Sequence, residues 1–169
     1  MKRNILIVDD DAPIRQALHK VLHGEDYEVL CAANGQEAIE KLRSEKVDLM
    51  LLDLGLPVKD GWGTVIWLAQ VNPRLPVIII TGRWNQRELA RKMGADALMD
   101  KPLDVPRLLQ TIRDLMNEPM ERRAQRASRR ASSFRYVPCD DQVLREMLCE
   151  RHPTPTCVPL QRTPDLPMP

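Results

Sequence analysis

Val47-Asp-Leu-Met-Leu-Leu-Asp53-Leu-Gly-Leu-Pro57 runs apolar from Leu49 to Leu52 and then breaks on a carboxylate, a glycine and a proline. A short, continuously apolar run closed by turn residues reads as a strand buried on both faces. Asp53 stands at its carboxyl end, where a charge serves chemistry better than packing. Three other apolar runs also finish in polar groups. Ile5-Leu-Ile-Val8 leads into Asp9-Asp10-Asp11, Val77-Ile-Ile-Ile80 into Thr81-Gly82, and Ala97-Leu-Met99 into Asp100-Lys101-Pro102.

Working outward, strand signals fall near 4–8, 27–32, 47–53, 76–81 and 97–100, with helical patterns near 12–23, 35–44, 61–71, 85–94 and 104–116. In the last, Val105, Leu108, Leu109, Ile112, Leu115 and Met116 recur on one helical face. Pro13 suits an early helical position, Asn34-Gly35 precedes the second helix, and Asp104 can cap the fifth. Tyr27-Glu-Val-Leu-Cys-Ala is mixed in character and suits an edge strand. Strand and helix alternating in this way predict an α/β fold, a doubly wound five-stranded parallel sheet with helices on both faces. Ligands bind such sheets outside the carboxyl ends of the strands, where all the polar groups just named lie.

The 169 residues carry a net charge of +1, which points to no polyanionic partner for the chain as a whole. No apolar run has the length of a membrane span. Met1-Lys-Arg-Asn4 meets only a four-residue apolar run, too short for a signal-peptide core, so a cytoplasmic location is expected. Four cysteines without such a signal read as free thiols.

Residues 1–117 hold the repeating pattern, and beyond Glu118-Pro119 it fails. Residues 118–169 carry nine Arg and no Lys, and six Pro fall within 153–169. An Arg/Pro-rich tail of this kind is expected to be mostly disordered, with one short helix at 140–152. Arg122, Arg126, Arg129 and Arg130 share a face if their segment is helical, and a polyanion would relieve their repulsion. DNA association through the tail is the alternative function. The spacing of Cys139, Cys149, His152 and Cys157 fits no compact zinc set.

Three carboxylates, Asp9, Asp10 and Asp53, converging at one point repel unless a cation is present. Mg²⁺ prefers oxygen ligands and is typically held by one or two carboxylates plus a phosphate. Asp53 is then placed to attack phosphorus, a reaction that needs positioning and charge neutralisation above all. Lys101 would supply a cation and Thr81 a hydroxyl to phosphoryl oxygens, with Gly82 keeping the approach open. Taken singly, Asp9-Asp10-Asp11 also reads as a helix cap, Asp53 as a turn residue and Thr81 as a strand-end hydroxyl, and Lys101-Pro102 carries little signal.

Ile5-Leu-Ile-Val-Asp-Asp-Asp11, Leu51-Leu-Asp-Leu-Gly-Leu-Pro-Val-Lys-Asp-Gly61, Ile80-Thr-Gly82 and Gly94-Ala-Asp-Ala-Leu-Met-Asp-Lys-Pro102 resemble, in order, the motifs of the receiver domain of two-component response regulators. The resemblance covers residues 1–117 and none of the tail. It implies a CheY-like, stand-alone receiver with strand order 2-1-3-4-5. Asp53 would be the phosphoacceptor, supplied by a sensor histidine kinase or a histidine phosphotransfer protein, and signalling would pass through protein–protein contacts. Asp9, Asp10, Asp53 and the backbone carbonyl of Gly55 would hold Mg²⁺. Thr81 and Lys101 would bind the phosphoryl group, and the Lys101–Pro102 bond would be cis. Thr81 would move as a switch with the residue three before Lys101. That residue is Leu98 here, where most receivers carry an aromatic ring. A phosphohydrolase of similar fold would carry a second acid two positions after its nucleophile, and Gly55 stands there instead.

Overall fold

A computed structural model of the chain describes residues 2–56, 61–83, 85–119, 121 and 134–138, all within the unit Met1–Cys139. Strands and helices alternate as β1 (Asn4–Val8), α1 (Ala12–Gly24), β2 (Glu28–Ala32), α2 (Gly35–Ser44), β3 (Leu49–Asp53), α3 (Gly61–Val71), β4 (Val77–Thr81), α4 (Arg87–Met93), β5 (Ala97–Asp100) and α5 (Val105–Met116). A further strand, β6 (Arg135–Val137), follows. The sheet is parallel with order β2-β1-β3-β4-β5-β6.

The five-stranded expectation therefore needs correction to six. Residues 135–137, inside the stretch expected to be mostly disordered, pair with β5 in the register Ala97↔Arg135, Leu98↔Tyr136 and Met99↔Val137. The proposed helix at 140–152, the Arg face at 122–130 and the Cys/His group lie outside the described residues. β2 is an edge strand, as its mixed sequence suggested.

Two cores flank the sheet. Leu6, Val8, Met50, Leu52, Ile79 and Leu98 point to one side, where α2, α3 and α4 contribute Ala38, Val65, Leu68 and Ala90. Ile5, Ile7, Leu49, Leu51, Ile78 and Ile80 point to the other, against Leu18 and Leu22 of α1 and Leu108, Ile112 and Leu115 of α5. Successive side chains of a strand alternate between faces, so continuously apolar strands supply both cores at once. Each fully buried aliphatic side chain contributes about 1.5–3 kcal/mol relative to exposure.

The helices begin where their caps dictate. Asp11 accepts the amide of Ile14, Asn34 that of Glu37, and Asp104 that of Arg107. Each side chain satisfies an amide that has no partner within the helix. Pro13 and Pro106 occupy first-turn positions, where a missing N–H costs nothing. α4 starts at Arg87, two residues later than its pattern suggested, and ends on Gly94 at φ 86°, a left-handed cap suited to glycine. Among the described residues no helix is long and apolar enough to cross a membrane.

Candidate functional site

The carboxyl ends of β1, β3, β4 and β5 meet at one end of the sheet. β3 lies between β1 and β4, so Asp53 sits centrally, with Asp9 following β1 on one side and Thr81 ending β4 on the other. Asp9, Asp53 and Thr81 are 2%, 8% and 1% exposed, whereas Asp10 is open to solvent.

Lys101 is bound directly to two of these acids. Its Nζ lies 2.6 Å from Asp53 Oδ2 and 3.0 Å from Asp9 Oδ2. The chain thus brings its own cation to the acidic group, a contact that local sequence does not reveal. Asp53 Oδ1 accepts the amide of Gly55 at 2.9 Å, and Asp9 Oδ1 accepts that of Asp11 at 2.8 Å. Arg15 Nη1 donates to the Asp9 carbonyl at 2.6 Å, a further cation that the motifs did not single out. Thr81 Oγ1 accepts the amide of Arg83 at 3.0 Å, and the Lys101 amide donates to the Thr81 carbonyl at 2.8 Å. The Lys101–Pro102 peptide bond is cis.

Burial pushes the Asp9 carboxyl above its ordinary value, and the hydrogen bonds from Lys101 and the Asp11 amide oppose this without overcoming it. Burial acts on Lys101 in the lowering direction, but its hydrogen bonds to Asp53 and Asp9 prevail and hold the ammonium above its ordinary value. A cationic lysine between buried acids is the expected outcome when desolvation is offset by direct pairing.

Asp9, Asp10 and Asp53 each offer a carboxylate oxygen within 4.8 Å of the others, a spacing that one cation can bridge. Three oxygen donors with solvent access at Asp10 fit a hard divalent ion that retains water, as Mg²⁺ does. Gly55 follows within the same turn, and a Cβ there would lie 3.4 Å from both Asp53 carboxylate oxygens. Glycine therefore leaves the Asp53 carboxylate uncrowded. The site residues singled out from sequence are together except Leu98. Leu98 is 1% exposed and packs in the core beside Ile79, facing Tyr136 of β6 across the strand pair.

Tyr136 itself was not anticipated. Its hydroxyl donates to Asp100 Oδ2 at 2.6 Å, and the Arg87 guanidinium stacks 5.0 Å from its ring centroid. On the opposite face of β6, Arg135 Nη1 pairs with Asp114 Oδ2 of α5 at 2.7 Å. The only sequence signal was the alternation in Phe134-Arg-Tyr-Val137, too short to stand out from an Arg- and Ser-rich surround.

Residues 5–113 match the family model of the response regulator receiver domain. The transcriptional regulatory protein ZraR of Salmonella typhimurium is 31% identical over 138 residues, covering 80% of this chain and 31% of that protein. The transcriptional regulatory protein CpxR of Escherichia coli K12 is 35% identical over 114 residues, covering 66% of this chain and 48% of that protein. The chain thus spans about a third to a half of the length of these curated relatives. Among solved structures, a CheY-like receiver domain protein from Methanospirillum hungatei JF-1 superposes with TM-score 0.66 at 29% identity, covering 74% of this chain and 98% of the other. The response regulator TrrA of Thermotoga maritima, solved in complex with Mg²⁺–BeF, superposes with TM-score 0.63 at 30% identity, covering 67% of this chain and 98% of the other. Sheet order, acidic strand ends and these matches agree: the chain belongs to the response regulator receiver domain family of two-component signalling proteins.

Proposed function

We propose that Asp53 accepts a phosphoryl group from a phosphohistidine on a sensor histidine kinase or a histidine phosphotransfer protein. The observation that carries this reading is the Lys101 ammonium 2.6 Å from Asp53, beside an acidic cluster with room for a cation. A carboxylate oxygen of Asp53 attacks phosphorus, the P–N bond to imidazole breaks with its electron pair leaving on nitrogen, and an acyl phosphate forms. Lys101 turns from carboxylate compensation toward a phosphoryl oxygen, and the Thr81 hydroxyl donates to another. Asp9, Asp10, Asp53 and the Gly55 carbonyl would hold Mg²⁺, which supplies charge neutralisation for the carboxylates and the transferred group. Gly55 and the open side of Asp10 leave that face accessible to a donor protein. In this reading the protein is a signalling module within residues 1–117, and not a turnover enzyme.

Incubation with a small phosphodonor and Mg²⁺ tests the proposal. Wild type should take up one acid-stable, base-labile phosphoryl group, and Asp53→Ala should take up none. Absence of labelling in wild type, under conditions that label another receiver, would overturn the reading.

Output through protein–protein contacts at the helices flanking β5 is the favoured consequence. A DNA-associated role is the second reading, supported by relatives named as transcriptional regulatory proteins and by the arginines of 118–169. Loss of salt-dependent DNA binding on replacing Arg122, Arg126, Arg129 and Arg130 with Gln would favour it. Thr81 and Leu98 form the pair that would move when the site is filled.

A further inference from the structure

β6 extends the sheet beside β5 from outside the region that the family model covers, which ends at residue 113. Its side chains alternate between the two faces of the sheet. Phe134 packs on the core that α4 covers and Val137 on the core that α5 covers. Tyr136 shares the face of Phe134, and so lies on the α4 side, where Arg87 stacks on its ring. Its hydroxyl reaches Asp100, the last residue of β5 and the one that precedes Lys101.

Asp100 has a second neighbour. In the β4–β5 register it stands directly beside Thr81. Adjacent strands are about 4.8 Å apart, and side chains at paired positions lie on one face. Asp100 is therefore a carboxylate within reach of the hydroxyl that an oxyanion on Asp53 would need. A threonine hydroxyl that accepts a hydrogen bond, as Thr81 Oγ1 does from Arg83, still has its hydrogen to donate. Two acceptors would then compete for one donor.

We propose that Tyr136 is a positioning residue for the phosphoryl site: by holding the Asp100 carboxylate, it keeps the Thr81 hydroxyl available to a phosphoryl oxygen on Asp53. The inference rests on the proposed phosphoacceptor role of Asp53 and extends it to a residue from an added strand. Arg87 fixes the ring from α4 and the Arg135–Asp114 pair fixes the strand from α5, so the hydroxyl is presented at one place. Freed of Tyr136, Asp100 would turn to Thr81, its neighbour in the strand register, and withdraw that hydroxyl from the incoming group.

The test uses the full chain, with Mg²⁺ and fluoroberyllate as a stable phosphoryl analogue. Tyr136→Phe keeps the ring and its stacking and removes only the hydroxyl. Its affinity for fluoroberyllate should fall about fivefold, the scale of one hydrogen bond. Asp100→Ala introduced into Tyr136→Phe removes the competing acceptor and should restore wild-type affinity. A role confined to holding β6 in place would not be rescued by deleting another of its contacts. Unchanged affinity in Tyr136→Phe, or no recovery in the double variant, would overturn the proposal. Failure of wild type itself to bind fluoroberyllate would remove the phosphoacceptor reading beneath it, a different result from either of these.

Discussion

Lys101 and Asp53 meet at 2.6 Å, Nζ to Oδ2, and this pair ties the end of β5 to the end of β3 across the intervening β4. The same ammonium reaches Asp9 at 3.0 Å, so one cation compensates two buried acids. Breaking such an arrangement from the cationic side leaves like charges facing one another.

Lys101→Met should therefore lower stability by about 1–3 kcal/mol in the presence of a chelator. Added Mg²⁺ should stabilise the variant more than wild type, because the ion no longer competes with an ammonium for Asp9 and Asp53. Urea unfolding with and without Mg²⁺ measures both effects. An equal response of the two proteins to Mg²⁺ would contradict a shared site.

Gly61 opens α3 directly behind the end of β3. A Cβ there would stand 2.7 Å from the Asp53 carbonyl and 2.9 Å from Leu54 Cα, both backbone atoms with little room to give. Gly61→Ala should cost about 1–3 kcal/mol and slow labelling of Asp53 by displacing β3. Gly82→Ala meets nothing within 4 Å and should change stability by no more than about 0.5 kcal/mol. Thermal or urea unfolding of the two variants side by side checks the contrast.

Arg135 holds the Asp114 carboxyl below its ordinary value, first through their hydrogen bond and then with help from Gln110. A depressed acid contributes stability that is present above its unfolded value, near 3.8, and is lost as pH falls through the lower folded value. Amide exchange at 135–137 should thus accelerate as pH is lowered below about 4 after correction for intrinsic rates. Arg135→Gln should abolish that acceleration, while one of equal size in the variant would place its origin elsewhere.

The fold was legible where chemistry is local. Four buried strands were continuous apolar runs, the helix starts were marked by Asn34, Asp104 and Pro13, and the acidic site could be assembled because every member ends a strand or follows one. The rest depends on partners distant in sequence. β6 is three residues long, and its hold comes from Asp100, Asp114 and Arg87, none of them near it in sequence. The motif around Lys101 points to a phosphoryl oxygen, and folding also pairs the ammonium with acids 48 and 92 residues away. Leu98 stands where most receivers carry an aromatic ring, and the ring paired beside it across the strands is that of Tyr136 on β6.

The central claim is that Asp53 is the phosphoacceptor, and borohydride trapping addresses it most directly. Wild type is incubated with a small phosphodonor and Mg²⁺, reduced with borohydride, digested and sequenced by mass spectrometry. Reduction converts an aspartyl phosphate to homoserine, so the account predicts homoserine at position 53 and unmodified Asp9 and Asp10. Homoserine at another acid with Asp53 intact would contradict it.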